Sequence, residues 1–107
     1  MKIIAGPCQH ESYPQSLEIA KECKRVCDKH GIEYYFKASY DKANRSSMQG
    51  KRGMGMSATL TDFLALKVQL GIKTLTDVHD YVQVARIERE FKDAVDVYQI
   101  PAFLCRQ

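Results

Sequence analysis

The 107-residue sequence predicts an α/β chain built on a parallel sheet, and two observations lead there. Short runs rich in β-branched and aromatic residues alternate with segments of helical period, in the order strand, helix, strand, helix, strand, helix, strand. That is the pattern of parallel strands joined by right-handed crossovers. The polar clusters then fall at equivalent places: Cys8–Glu11, Lys37–Ser47, Asp77–His79 and Gln99–Arg106 each follow the end of a strand. The C-terminal edge of a parallel sheet is where α/β folds assemble their sites.

Lys2-Ile3-Ile4-Ala5 is the first strand, ended by Gly6-Pro7. Ser12-x-x-Gln15 with Pro14 reads as a capping box. It opens a helix that runs to about His30, with Leu17, Ala20, Cys23, Val26 and Cys27 on one face and Gly31 as its stop. The second strand, about 32–38, leads into a long stretch without apolar period that passes Gly50, Gly53 and Gly55. Thr59-x-x-Asp62 is expected to cap the next helix, which carries Leu60, Phe63, Leu64, Val68 and Leu70 and stops at Gly71. Residues 72–76 form the third strand. Asp80 caps a third helix with Val84, Ile87 and Phe91 facing inward, and residues 94–100 form the fourth strand, ended by Pro101. The inward apolar residues of the strands are expected at Ile4, Phe36, Leu75 and Val97 or their immediate neighbours.

Length allows one domain at most, and 45% hydrophobic content is enough for a modest core. No run approaches the length of a membrane helix, and Met1-Lys2 leads straight into a strand, so a soluble, cytoplasmic protein is expected. The net charge of +3 is weak evidence for nucleic acid, because Tyr34, Tyr35 and Phe36 precede the basic residues instead of interleaving with them. Cys8, Cys23, Cys27 and Cys105 are expected as thiols. Cys23 and Cys27, at i and i+4, suit a core-facing helix stripe better than a metal pair, since no second Cys or His pair completes a ligand set.

The stretch Lys37–Ser47, K-A-S-Y-D-K-A-N-R-S-S, is the most informative in the chain. Residues 37–52 set Lys37, Lys42, Arg45, Lys51 and Arg52 against Asp41 alone, a net +4. A solvated polar loop is the plain reading of such a cluster. An anionic, hydroxyl-rich ligand is the sharper one: lysines as point charges, Arg45 as a bidentate fork, and serine hydroxyls for phosphate oxygens.

With the preceding phenylalanine, F-K-A-S-Y-D-K-A-N-R-S-S resembles the signature of the 3-deoxy-D-manno-octulosonate 8-phosphate synthase family. I-A-G-P-C at 4–8 with Glu11-Ser12, T-D-V-H at 76–79 and Q-I-P-A-F-L-C-R-Q at 99–107 agree in order and spacing. The resemblance covers nearly the whole chain but only the first part of the family's longer sequence. It implies the first half of a (β/α)8 barrel, with residues 1–107 as its N-terminal half. It also implies the condensation of phosphoenolpyruvate with arabinose 5-phosphate, within the pathway to the Kdo sugar of lipopolysaccharide. Lys37, Ser39 and Lys42 would surround phosphoenolpyruvate, and Lys42 could also reach the aldehyde oxygen. Asn44, Arg45 and Ser46 would hold the sugar phosphate, Asp77 would take a sugar hydroxyl with His79 beside it, and Gln99 would line the pocket floor. Arg106 would reach a neighbouring subunit's substrate, which implies a homo-oligomer. Cys8 marks the metal-dependent class, implying a divalent Zn, Fe or Mn ion whose other ligands lie outside this chain; Glu11 is expected in structural or pocket hydrogen bonds and His10 as a variable loop residue.

Met48-Gln49-Gly50 and Gly55-Met56-Ser57 depart from the family pattern in the outer part of the long stretch. The neighbouring 3-deoxy-D-arabino-heptulosonate 7-phosphate synthases share A-G-P-C and Glu-Ser, but carry Lys-Pro-Arg-Thr where this chain has Lys42-Ala43-Asn44-Arg45. A non-catalytic phosphosugar-binding half-domain is the alternative of a different class. As half a barrel, the chain is expected to be inactive alone and to dimerise, aggregate or stay partly molten.

Overall fold

The computed structural model of the chain describes residues 1–40 and 55–101. Its elements run β1 (Lys2–Gln9), α1 (Tyr13–Lys29), β2 (Glu33–Ser39), α2 (Met56–Leu70), β3 (Lys73–Asp77), α3 (Tyr81–Glu90) and β4 (Val97–Gln99). The strands form one sheet in sequential order, every neighbouring pair parallel. Right-handed crossovers in such an order put all the helices on one face. This is the β/α unit pattern of the first half of a (β/α)8 barrel.

Helix ends are set by local chemistry. Ser12 Oγ accepts the Gln15 N–H at 3.3 Å to open α1, and Asp80 Oδ1 accepts the Gln83 N–H at 2.8 Å to open α3. At the end of α2, Gly71 takes φ 66° and donates its N–H to the Lys67 carbonyl, the left-handed stop that glycine adopts without steric cost.

The start of α2 differs from the expectation. The helix begins at Met56 after Gly55, whose φ of 88° makes it the N-cap without a side-chain bond. Thr59 is therefore a buried position inside the helix. Asp62 is also interior and bonds to a residue far away in sequence, described below.

β1 also differs, running through Gly6-Pro7 to Gln9 with a register shift between Ala5 and Cys8. A bulge accommodates Pro7, which has no N–H to give a ladder. Gly6 is required for contact reasons, since a Cβ there would sit 1.7 Å from the Lys37 carbonyl oxygen. β4 is shorter than expected. The segment ahead of it, Ala94–Asp96, reaches β3 differently: the Asp96 carboxylate accepts the Thr74 N–H at 2.8 Å and Lys67 Nζ at 2.6 Å.

Strand alternation separates two faces. Tyr34, Phe36 and Ala38 of β2 join Ala20 and Cys27 of α1, Leu60, Phe63 and Leu66 of α2, and Ile87 of α3 in the core. Phe36 meets Phe63 edge-on at a centroid distance of 5.6 Å. Phe36 thus belongs to the helix side, and Tyr35 takes the opposite one. Parallel register puts Ile4 beside Tyr35, and Leu75 between Lys37 and Val97, on that opposite face. No described helix covers it. Ile4 is 54% and Val97 38% exposed there, whereas Leu75 is buried. Cys8, Cys23 and Cys27 are free thiols, and Cys27 is a core residue as its helix stripe implied.

Candidate functional site

β2 turns Tyr35, Lys37 and Ser39 toward the open face, because Tyr34, Phe36 and Ala38 are taken up by the helices. In β3 and β4 the register pairs Lys37 with Leu75 and Asp77 with Gln99. Four of the residues singled out from the sequence, Lys37, Ser39, Asp77 and Gln99, therefore share one face at the C-terminal edge of the sheet.

Two of them touch. The Ser39 hydroxyl donates to Asp77 Oδ1, bridging the ends of β2 and β3. The other carboxylate oxygen, Oδ2, lies 3.3 Å from His79 Nε2. Asp77 keeps 15% side-chain exposure and His79 17%, so both are sheltered but reachable. A carboxylate accepts about four hydrogen bonds, which leaves Asp77 able to take a ligand hydroxyl as well as Ser39. The turn carrying His79 is fixed from both sides. Its N–H donates to Gln83 Oε1 at 2.7 Å while the Gln83 N–H goes to Asp80. Gln83 is thus a supporting residue that sequence reading missed; its place three residues after the Asp80 cap was the available signal.

Lys37 is half-buried and Gln99 is exposed. The Gln99 carbonyl accepts the Val78 N–H at 3.0 Å, which ties β4 to the Asp77–His79 turn. Cys8 is exposed, with φ 68° beyond the Gly6-Pro7 bulge and Ala38 as its register partner. Such a left-handed backbone is uncommon for a residue with a Cβ. The remaining expectations, at Lys42, Asn44, Arg45, Ser46 and Arg106, lie outside the described residues.

His10 lies in the loop between β1 and α1, as expected, but its side chain is not loose. It is fully buried, with Nδ1 2.7 Å from Ser16 Oγ and Nε2 2.8 Å from Asp62 Oδ2. Glu11 beside it is exposed. With both His10 nitrogens engaged, the ring has no lone pair for a metal beside Cys8. Among the described residues no group of three or more His, Cys, Asp or Glu side chains could hold an ion. Cys8 therefore offers a single sulfur donor, which by itself falls short of a metal centre. Next to His79, between the start of α3 and the end of β4, a cavity of about 500 Å3 is lined by Val78, His79, Asp80, Tyr81, Val84, Ala85 and Ile100. Its mostly apolar lining does not include Ser39 or Asp77.

Comparison with known proteins adds an independent line. The profile of the DAHP synthetase I family matches residues 1–107. The 2-dehydro-3-deoxyphosphooctonate aldolase of Chelativorans sp. (strain BNC1) is 49% identical over 107 residues, covering 100% of this chain and 37% of that protein. Proteins of the same name from Rhodopseudomonas palustris (strain TIE-1) and Bradyrhizobium sp. (strain ORS 278) are 47% and 45% identical, again over 100% of this chain and 36% of theirs. The chain spans little more than a third of the length of the curated relatives it matches.

Proposed function

The chain belongs to the DAHP synthetase I family, and from that premise we propose that it is part of an enzyme forming a carbon–carbon bond between phosphoenolpyruvate and arabinose 5-phosphate. Carbon 3 of phosphoenolpyruvate adds to the aldehyde carbon of the sugar. One water is consumed, inorganic phosphate is released, and the eight-carbon product is 3-deoxy-D-manno-octulosonate 8-phosphate. The observation that carries this reading is the placement of Lys37, Ser39, Asp77 and Gln99 on one face, at one edge of a parallel sheet. It is supported by relatives of one name at 45–49% identity along all 107 residues.

In this reading the Lys37 ammonium neutralises the phosphoenolpyruvate carboxylate, and Lys42 stabilises negative charge as it develops on the aldehyde oxygen. Asn44, Arg45 and Ser46 hold the sugar phosphate, with Arg45 as the bidentate fork. Asp77, steadied by Ser39, accepts a sugar hydroxyl. His79 and Gln99 border the same pocket, and Arg106 reaches the substrate of a neighbouring subunit in a homo-oligomer. Together with ligands from outside this chain, Cys8 would contribute one sulfur to a divalent Zn, Fe or Mn ion, whose chemistry when bound is to polarise a substrate oxygen. Cytoplasmic location suits substrates that carry phosphate groups; no described helix is long and apolar enough to cross a membrane.

The test is phosphate release by the protein expressed in its full natural extent, supplied with phosphoenolpyruvate and one aldose phosphate at a time. Release with arabinose 5-phosphate, and an eight-carbon product by mass, is expected. Turnover only with a four-carbon aldose phosphate would move the assignment to the seven-carbon synthases. Binding of both ligands with no turnover would favour the non-catalytic reading.

A further inference from the structure

His10 lies outside the site just described, yet it touches the three elements around it. Its main-chain N–H donates to the Ser39 carbonyl at 2.9 Å, at the end of β2. Nδ1 meets Ser16 Oγ in the first turns of α1, and Nε2 meets Asp62 Oδ2 on α2. The ring also stands edge-on to Phe63 at a centroid distance of 6.4 Å. Burying a polar ring is costly unless its nitrogens find partners, and here both do. An ionised carboxylate only accepts, so Nε2 donates to Asp62, while Nδ1 and the Ser16 hydroxyl, which can donate or accept, share the second bond.

The order Asp62, His10, Ser16 matches that of a nucleophile-activating triad. Ser16, however, is fully buried and does not line the cavity beside His79, so no substrate reaches its hydroxyl. What the arrangement supplies is direction. An apolar side chain would fill the same volume, but only hydrogen bonds to two different helices fix the angle of the ring and of the backbone that bears it.

We propose that His10 is a positioning residue for the strand-end site. Its ring bonds to Ser16 and Asp62 hold the end of β1 so that the residue-10 N–H meets the Ser39 carbonyl, and this keeps the Ser39 hydroxyl on Asp77. The link to catalysis rests on the assignment of Ser39 and Asp77 to the substrate pocket; the link from His10 to Ser39 does not.

Three variants separate the possibilities. His10→Leu keeps volume and loses both ring bonds. His10→Gln places a carboxamide near the Nε2 position and keeps the Asp62 link, and His10→Asn keeps the Ser16 link. Amide hydrogen exchange on the full chain reads the structural half. In His10→Leu the amide of residue 10 should exchange at least tenfold faster relative to that of Asp96, which donates to Thr74 at the far end of the sheet. His10→Gln and His10→Asn, which each retain one polar partner, should show smaller increases at the same amide. Kinetics read the functional half. In the full-length enzyme His10→Leu should raise KM for arabinose 5-phosphate about tenfold, and His10→Gln should recover most of that loss. Equal acceleration at residue 10 and Asp96 in all three variants, or unchanged KM with a lowered Tm, would reduce His10 to a general stabiliser and overturn the proposal. Selective loosening at residue 10 in a parent without turnover would uphold the His10–Ser39 link and instead sink the reaction assigned above.

Discussion

Replacing Gly6 by alanine tests how the site edge is built. A Cβ at this position would lie 1.7 Å from the Lys37 carbonyl oxygen and 2.8 Å from its carbon, where ordinary contact begins near 3.4 Å. The obstructing atoms are backbone, so no rotamer change relieves them. β1 and β2 must separate locally by an appreciable part of the roughly 4.8 Å between paired strands. The pairs beyond the clash, Cys8 with Ala38 and Gln9 with Ser39, are then lost or distorted. Two ladder bonds at about 1 kcal/mol each, with about 1–3 kcal/mol for the steric strain, give a cost of about 3–5 kcal/mol. A folded domain has on the order of 5–15 kcal/mol in all.

Gly71→Ala is the control. Gly71 has φ 66° with nothing within 4 Å of its added Cβ, so its cost is conformational only, about 1–2 kcal/mol. Urea unfolding of the protein in its full natural extent, followed by far-UV circular dichroism, should move the Gly6→Ala midpoint down by about 1 M or more, given slopes of about 1–3 kcal/mol/M. The Gly71→Ala shift should be clearly smaller. If Gly6→Ala proved no worse than Gly71→Ala, the close approach of β1 to Lys37 would be wrong, and with it the bulge that presents Cys8.

Four further outcomes are expected. Burial raises the Asp96 carboxyl, but its bonds from Lys67 and from the Thr74 N–H and hydroxyl outweigh that and leave it below the usual aspartate range. The stability that this group supplies is therefore present above its unfolded pKa and lost as pH falls through the lower folded one. The midpoint gap between parent and Asp96→Asn should shrink on acidification below about pH 4, and a gap that widened there would contradict the ion pair. In the full-length enzyme, Arg45→Ala should raise KM for arabinose 5-phosphate far more than for phosphoenolpyruvate, by a loss on the order of 2–5 kcal/mol; equal effects on both would reject its role. Chelation should abolish turnover and Cys8→Asn should lower the metal content measured by mass spectrometry, whereas full activity of the parent in excess chelator would dispose of the thiolate ligand. A polypeptide of residues 1–107 should elute larger than a monomer or bind a hydrophobic dye, because Ile4 and Val97 are exposed on a sheet face that no described helix covers; a compact, dye-silent monomer would show that face to be tolerated.

What was legible in the sequence was local. Ser12, Asp80 and Gly71 act through bonds within a few residues of themselves, and each ends its helix where its chemistry implies. The alternation of strands and helices gave the parallel order, and hence the edge where Lys37, Ser39, Asp77 and Gln99 gather. What was not legible depends on residues far apart. Gly6-Pro7 looks like a strand end unless the Lys37 carbonyl is known to lie against it. The fourth strand looks longer than Val97–Gln99 because the Asp96 side chain, not a strand ladder, accepts the Thr74 N–H.

Thr59-x-x-Asp62 shows how a correct local rule yields a wrong assignment. The pair has the spacing of a cap, and Ser12 and Gln15 obey that rule at the same spacing in α1. In α2 the glycine before Met56 starts the helix earlier, and the pattern falls inside it. A carboxylate within a helix must then find its partner elsewhere, and Asp62 finds it at the end of β1, 52 residues away in sequence. His10, whose burial in its loop the sequence did not show, and Asp62, read as part of a cap, are the two ends of one hydrogen bond. Each appears ordinary alone, since a histidine after a strand and an aspartate three residues after a threonine both have common local explanations. Their pairing appears only once α2 lies across the end of β1. His10 also bonds through its main-chain N–H to Ser39 beside it, and therefore what the sequence did not show converges on the residue proposed to hold the site in place.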